Sequence, residues 1–177
     1  MKKILLFLIL FSILGGCKEN EESRLFTIPV RNIRFEIPAG LNPIKSHYFV
    51  IDDVPTFFDD LLVTNKVSMD EVASIIPVSA RLVQPFSDID YDFIYEISIR
   101  LCDDPEDEDC GHEIFWRKPV PEDIGAQLDV VPNEINMKDI LSKEKIKIQV
   151  VLLQLRGTTT EFFDNQLELD FEVRRKN

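Results

Sequence analysis

The chain has 177 residues, enough for one domain and short for two. Hydrophobic residues make up 45% and charged residues 29%, which excludes a chain disordered throughout. With 32 acidic against 20 basic residues the formal net charge is −12, so the surface repels nucleic-acid backbones.

Met1-Lys2-Lys3 is a short cationic start, and Ile4 to Leu14 is apolar except for Ser12. Spanning a ~30 Å hydrocarbon core takes about 20 helical residues, so this run is too short to cross a membrane. It has the length of a secretory apolar region, which makes residues 1–16 a signal peptide. Leu14-Gly15-Gly16-Cys17 follows: a branched apolar residue, two small ones, then cysteine.

These four residues resemble the lipobox of bacterial lipoproteins. The resemblance covers the leader alone and implies cleavage before Cys17, diacylglycerol on its thiol and a further acyl chain on the new amino group. Two or more chains hold a protein stably on a bilayer, at ~0.8 kcal/mol per buried CH₂. Cleavage also removes Lys2 and Lys3, leaving 18 basic residues against 32 acidic ones, a net charge of −14. Residues 17–24 are then the lipidated cysteine and a polar tether. Lys18, Glu19, Glu21 and Glu22 resemble export signals that carry some Gram-negative lipoproteins to the cell surface. The expected location is the bacterial outer membrane, on its surface or its periplasmic face.

Residues 25–177 are expected to form a single domain, and no further family motif is recognised in them. Arg31 to Ile37 alternates, with Ile33, Phe35 and Ile37 on one side, as a half-buried strand does. His47 to Ile51 and Val78 to Val83 are short β-rich runs. Pro55 to Leu62 has apolar residues at helical spacing, with Pro55 suited to a first turn. Ser68-Met69-Asp70-Glu71 has the form of a capping box, followed by Val72, Ile75 and Ile76 at helical spacing and by Pro77 as a stop.

Tyr91 to Leu101 reads as a central strand, with Phe93, Tyr95, Ile97, Ile99 and Leu101 on one face and Ile94 as the exception. Ile114 to Arg117 should return as its hairpin partner. Asn136 caps a predicted single turn carrying Met137, Ile140 and Leu141. Lys145 to Leu155 is a long strand whose alternation breaks at Val150-Val151, which predicts burial on both faces or a bulge. Gln166 to Arg174 alternates without a break. The expected fold is mainly β: an antiparallel β-sandwich, immunoglobulin-like or jelly-roll-like, with short connecting helices. The alternative is an α+β domain.

Once Cys17 is lipidated, Cys102 and Cys110 are the two remaining thiols, and export permits a disulfide between them. On the chain-entropy view, closing so short a loop is worth roughly 2.5 kcal/mol. Between them Asp103, Asp104, Glu106, Asp107, Glu108 and Asp109 place six carboxylates in seven residues. Six carboxylates suit Ca²⁺, which takes six to eight oxygens; the plainer reading is a solvated acidic loop with no cofactor. Asp88-Ile89-Asp90-Tyr91-Asp92 lacks the glycine and glutamate of an EF-hand loop.

Trp116, the single tryptophan, is a candidate contact for a protein or glycan partner. In each of the pairs Tyr48-Phe49, Phe57-Phe58, Phe115-Trp116 and Phe162-Phe163, a strand would turn one ring away from the core. His47 and His112 read as loop or strand-edge residues, and no nucleophile elbow, zinc-protease helix or phosphate loop is present. The expectation is a non-catalytic, membrane-anchored binding module. A structural subunit of an envelope complex and a hydrolase are the alternatives.

Overall fold

The computed structural model describes residues 24–85, 90–104 and 110–175. The leader, Cys17, the tether, Asp88, Glu106, Asp107, Glu108 and Asp109 lie outside the described residues. Eight strands are present: β1 (Arg24–Ile37), β2 (His47–Pro55), β3 (Val72–Val83), β4 (Ile94–Leu101), β5 (His112–Arg117), β6 (Gln127–Pro132), β7 (Lys145–Leu155) and β8 (Phe163–Arg175). Between them lie two short helices, α1 (Phe58–Asn65) and α2 (Lys138–Leu141), and single 3₁₀ turns at Met69–Glu71 and Tyr91–Phe93.

β1 pairs with β8, β2 with β7, β3 with β6 and β4 with β5, all antiparallel. That is one long two-stranded ribbon with the β4–β5 hairpin at its tip. The ribbon rolls up, so that β8 also pairs with β3 and β7 with β4. The result is two sheets, β1-β8-β3-β6 and β5-β4-β7-β2, joined by a short β5–β6 ladder. This strand order is a jelly roll, one of the two sandwich types expected.

Alternation dictates the core. On β8, Leu167, Leu169, Phe171 and Val173 point inward and are fully buried, as the sequence predicts. On β7 the expected two-sided burial is seen: residues 148–152 are all buried. β1 keeps its inward apolar set through a bulge at Arg31–Asn32, where Asn32 has φ 60°. Phe26, Ile28 and Val30 are buried before the bulge, and Ile33, Phe35 and Ile37 after it. The strand therefore starts earlier than the predicted Arg31.

Four other expectations are corrected. Ser68 and Glu71 do form a capping box, with the Ser68 N–H donating to Glu71 Oε2 at 2.9 Å. The turn it caps ends at Glu71, however, and Val72, Ile75 and Ile76 belong to β3. The register shift after Val72 supplies the odd offset to Ile75 that imitates helical spacing. Pro77 is tolerated inside β3 because β6 pairs only with Ala80–Val83, so its missing N–H breaks no β6 ladder. Pro55 closes β2, and α1 starts after Phe57. Finally, β4 begins at Ile94, whose side chain is fully buried, after a 3₁₀ turn and ahead of two register shifts. The strand β6 is absent from the predicted elements; Leu128 and Val130 on it point inward.

The turns gather at the two ends of the sandwich. At one end, residues 38–46, 84–93, 118–126 and 156–162 are tied together through the described residues. Gly40 N donates to Thr159 O at 2.8 Å, Tyr91 N to Gly125 O at 3.1 Å and Arg156 N to Phe93 O at 2.7 Å. At the other end are Arg24, α1, α2 and the Cys102–Cys110 turn. There Thr56 N donates to Glu144 O at 3.0 Å, and Lys143 Nζ to Asp103 O at 2.6 Å.

Candidate functional site

The outer faces of the two sheets differ in chemistry. On β1-β8-β3 several outward side chains pair with one another. Arg81 bonds Glu168 at 2.7 Å, Ser79 donates to Asp170 at 2.8 Å, and Arg31 bonds Asp170 as well. Such exposed pairs are individually weak, and they leave a solvated surface with little to offer a partner.

The outer face of β2-β7-β4-β5 carries an apolar and aromatic row between ion pairs such as Lys118–Glu96 and Lys147–Asp52. Tyr48, Val151, Ser98, Trp116 and Val131 are register partners in turn, so the five side chains form one row across the strands. Tyr48 is 56% exposed, Trp116 38% and Val131 46%, while Val151 and Ser98 between them are buried. At ~4.8 Å per strand the row is about 19 Å long. Val50, 45% exposed, stands in the adjacent row opposite Gln149. Among the described residues, the row carries three of the five exposed large hydrophobic side chains found on the strands and the two α-helices.

A fixed polar cluster flanks Trp116. Ser98 Oγ donates to Glu113 Oε2 at 2.6 Å, and Asn133 Nδ2 donates to Glu113 O at 2.9 Å. Arg100 Nε donates to Ser98 Oγ at 3.3 Å and stands opposite Glu113 in the register. These groups are held by one another, so they present preset donors and acceptors beside the indole. The Ser98 hydroxyl is committed to a carboxylate with no imidazole in the cluster, which does not fit an activated nucleophile.

Cys102 and Cys110 are disulfide-bonded, with Cα atoms 4.1 Å apart, and both are buried. They close the β4–β5 turn as expected. Within it, Asp103 receives His112 Nε2 at 2.9 Å. Among the described residues no group of three His, Cys, Asp or Glu side chains is placed to hold a metal ion. Asp103 and Asp104 are the described members of the acidic run. Leu101 and His112 are partners at the end of the hairpin, and Trp116 lies four residues further along β5, about 13 Å away. Asp103, just beyond that end of the hairpin, is therefore set apart from Trp116.

The other singled-out residues have structural roles. His47 bonds Asn42 O at 2.8 Å. Asp92 Oδ1 accepts Ile124 N at 3.2 Å, and Gly125, at φ 68°, packs beside Asp90. The N-cap of α2 is Met137 rather than the expected Asn136, whose Oδ1 accepts Lys138 N at 3.1 Å from one residue further out and also Ile75 N at 3.0 Å. In the aromatic pairs Phe58, Phe115 and Phe163 are buried, whereas Phe57, Trp116 and Phe162 are exposed. The row itself is not legible in the sequence because its members are 15 to 103 residues apart and meet only through the β2-β7-β4-β5-β6 register.

No family model matches the chain, and no curated protein matches it. Among solved structures it is similar to the infectious bursal disease virus VP2 subviral particle, at 11% identity and a TM-score of 0.36, over 90% of this chain and 34% of that one. It is also similar to the capsid of Helicobacter pylori bacteriophage KHP30, at 7% identity and a TM-score of 0.31, over 83% and 93% of the two chains. For tobacco necrosis virus the values are 13% and 0.30, over 86% and 98%. The chain thus spans about a third of the VP2 chain it matches. The fold assignment rests on the strand order given above.

Proposed function

We propose that this protein is a lipid-anchored, non-catalytic binding module of the bacterial outer membrane. The row Tyr48–Trp116–Val131 is its contact surface for a protein or glycan partner. The observation that carries the reading is the alignment of two exposed rings, Tyr48 and Trp116, in one row across β2-β7-β4-β5 beside preset polar groups. Aromatic rings add contact area at little cost in side-chain freedom, and they dominate binding surfaces for that reason. The anchor rests on Lys2, Lys3, the apolar run and Leu14-Gly15-Gly16-Cys17.

Two experiments test the two halves. Metabolic labelling with a clickable fatty acid should mark the wild type and spare Cys17→Ser; equal label on both would end the anchor reading. A photo-reactive phenylalanine analogue at position 116 should cross-link one specific partner in cells, and the same analogue at position 81 on the other sheet should not. Identical patterns from both positions would remove the aromatic row as the contact surface.

A further inference from the structure

β1 pairs only with β8 and β2 only with β7, so among the described residues these are the two edges of the rolled sheet that no ladder joins. A cleft of about 800 Å³ lies between them, lined by Arg34–Glu36, residues 48–52, Pro85, Asp164 and Asn165. Free edges invite unwanted pairing, and folded proteins blunt them with proline, bulges and charge. Both edges are blunted here, but only in part. β1 has Pro29 and the Arg31–Asn32 bulge. β2 has the Asp52–Asp53 bulge, with Asp53 at φ 55°, and then Pro55. What remains regular is Ile33–Ile37 on β1 and His47–Ile51 on β2, and both stretches border the cleft.

β2 is the edge left incomplete. Phe49 shares an inward row with Val150, Ile99 and Phe115, and Ile51 shares one with Ile148 and Leu101. Those five row partners are fully buried, whereas Phe49 and Ile51 are only half-buried. The inward residues of β1 are buried already, and Phe35 meets the Phe49 ring at 5.5 Å. Charge narrows the occupant. Glu36, Asp52 and Asp164 line the cleft against Arg34, with Lys147 at 3.7 Å offsetting Asp52 in part.

We propose that the free edge of His47–Ile51 takes up an extended segment of a protein partner by strand addition, the segment being apolar at alternate positions and neutral to basic in charge. The added strand supplies N–H and C=O partners to β2 and covers Phe49 and Ile51 with its inward side chains. A second copy of this chain is a poor occupant, because it would bring the same carboxylates and a net charge of −12 to the seam. The tether is one as well. β1 enters at Arg24, ten residues or about 33 Å from Arg34, and residues 17–23 reach at most about 25 Å. The site is distinct from the Trp116 end of the aromatic row, three strands away.

The test uses the full chain purified in detergent and phage-displayed random short peptides. Enriched sequences should alternate apolar residues with Lys or Arg. A synthetic copy should slow amide exchange at residues 47–51 by about tenfold or more and leave the bulge at 52–53 unchanged. Glu36→Lys combined with Asp164→Lys, both at exposed positions, should weaken the peptide about tenfold, with exchange in β4 unaltered as the control for folding. Trp116→Ala should leave peptide binding intact; loss of binding there would move the peptide to the aromatic row and overturn the seam proposal while sparing the functional one. Three further results would overturn it: no enrichment over a blank surface, amides at 47–51 already as protected in the free chain as those of β4, or protection that grows with protein concentration in the absence of peptide.

Discussion

The hydroxyl of Tyr91 donates to Asn165 Oδ1 at 2.8 Å, and both side chains are fully buried. The bond ties the 3₁₀ turn before β4 to the first residues of β8, at the end of the sandwich where four turns meet. Asn165 Nδ2 also donates to Phe163 O at 3.2 Å, so the inward-facing amide is held at both ends. Two polar residues are accommodated in the core because each satisfies the other.

Tyr91→Phe should therefore cost about 1–2 kcal/mol at neutral pH, because the Asn165 oxygen is left in the core without its donor. The pH dependence follows from burial, which raises the phenol above its ordinary value of 10.0, with Gln84 opposing in part. The unfolded chain releases this proton from pH about 10 upward while the folded chain keeps it, so stability falls as pH rises from that point. Urea midpoints measured from pH 8 to 11 should show a steeper alkaline fall for the wild type than for Tyr91→Phe. Parallel curves would show that this phenol does not contribute.

Arg156 closes the same end. Its guanidinium donates to Asp92 O at 2.8 Å and to the carbonyls of Ile94 and Val120, and it lies 5.4 Å from the centre of the Tyr95 ring. Arg156→Ala strips three carbonyls of a donor and should destabilise by about 3 kcal/mol or more. Lysine cannot reproduce the planar fork, so Arg156→Lys should recover less than half of the loss. Thermal melting of the three proteins checks this, and a lysine variant equal to wild type would show that charge alone suffices.

Cys102→Ser with Cys110→Ser should lower stability by roughly 2.5 kcal/mol and leave the fold intact, because the bridge acts mainly on the unfolded chain. Non-reducing peptide mapping first establishes the bond, and denaturation with and without reductant measures its worth. A melting temperature that rises with added Ca²⁺ and falls with chelator would bring back a metal in the acidic loop.

Sequence showed most clearly the strands whose alternation is uninterrupted. Leu167, Leu169, Phe171 and Val173 are legible because the extra residue of each bulge lies on β1 or β3, which leaves the alternation of β8 itself unbroken. β3 resembles a helix in the sequence because a bulge after Val72 puts Val72 and Ile75 three residues apart on one face, directly after a capping box that is real but caps a single turn. Ile94 looked like an exception for the same reason, since two register shifts follow it. β6 was missed because its inward pattern is only Leu128 and Val130 within six residues. Of the site, Trp116 was legible as a lone exposed ring. Its alignment with Tyr48 and Val131 was not, because that depends on how a two-stranded ribbon rolls up, a long-range choice that local periodicity does not encode.

The central claim is that the aromatic row binds the partner, and the most direct measurement compares retention of envelope proteins and glycans on three immobilised forms of the full chain. Trp116→Ala removes one of the row's two rings, and Arg81→Ala alters the other sheet without touching the row. The account predicts that Trp116→Ala loses about tenfold or more in affinity for whatever the wild type retains, while Arg81→Ala keeps it. Equal retention by wild type and Trp116→Ala, or an equal loss in both variants, would contradict the assignment of this face.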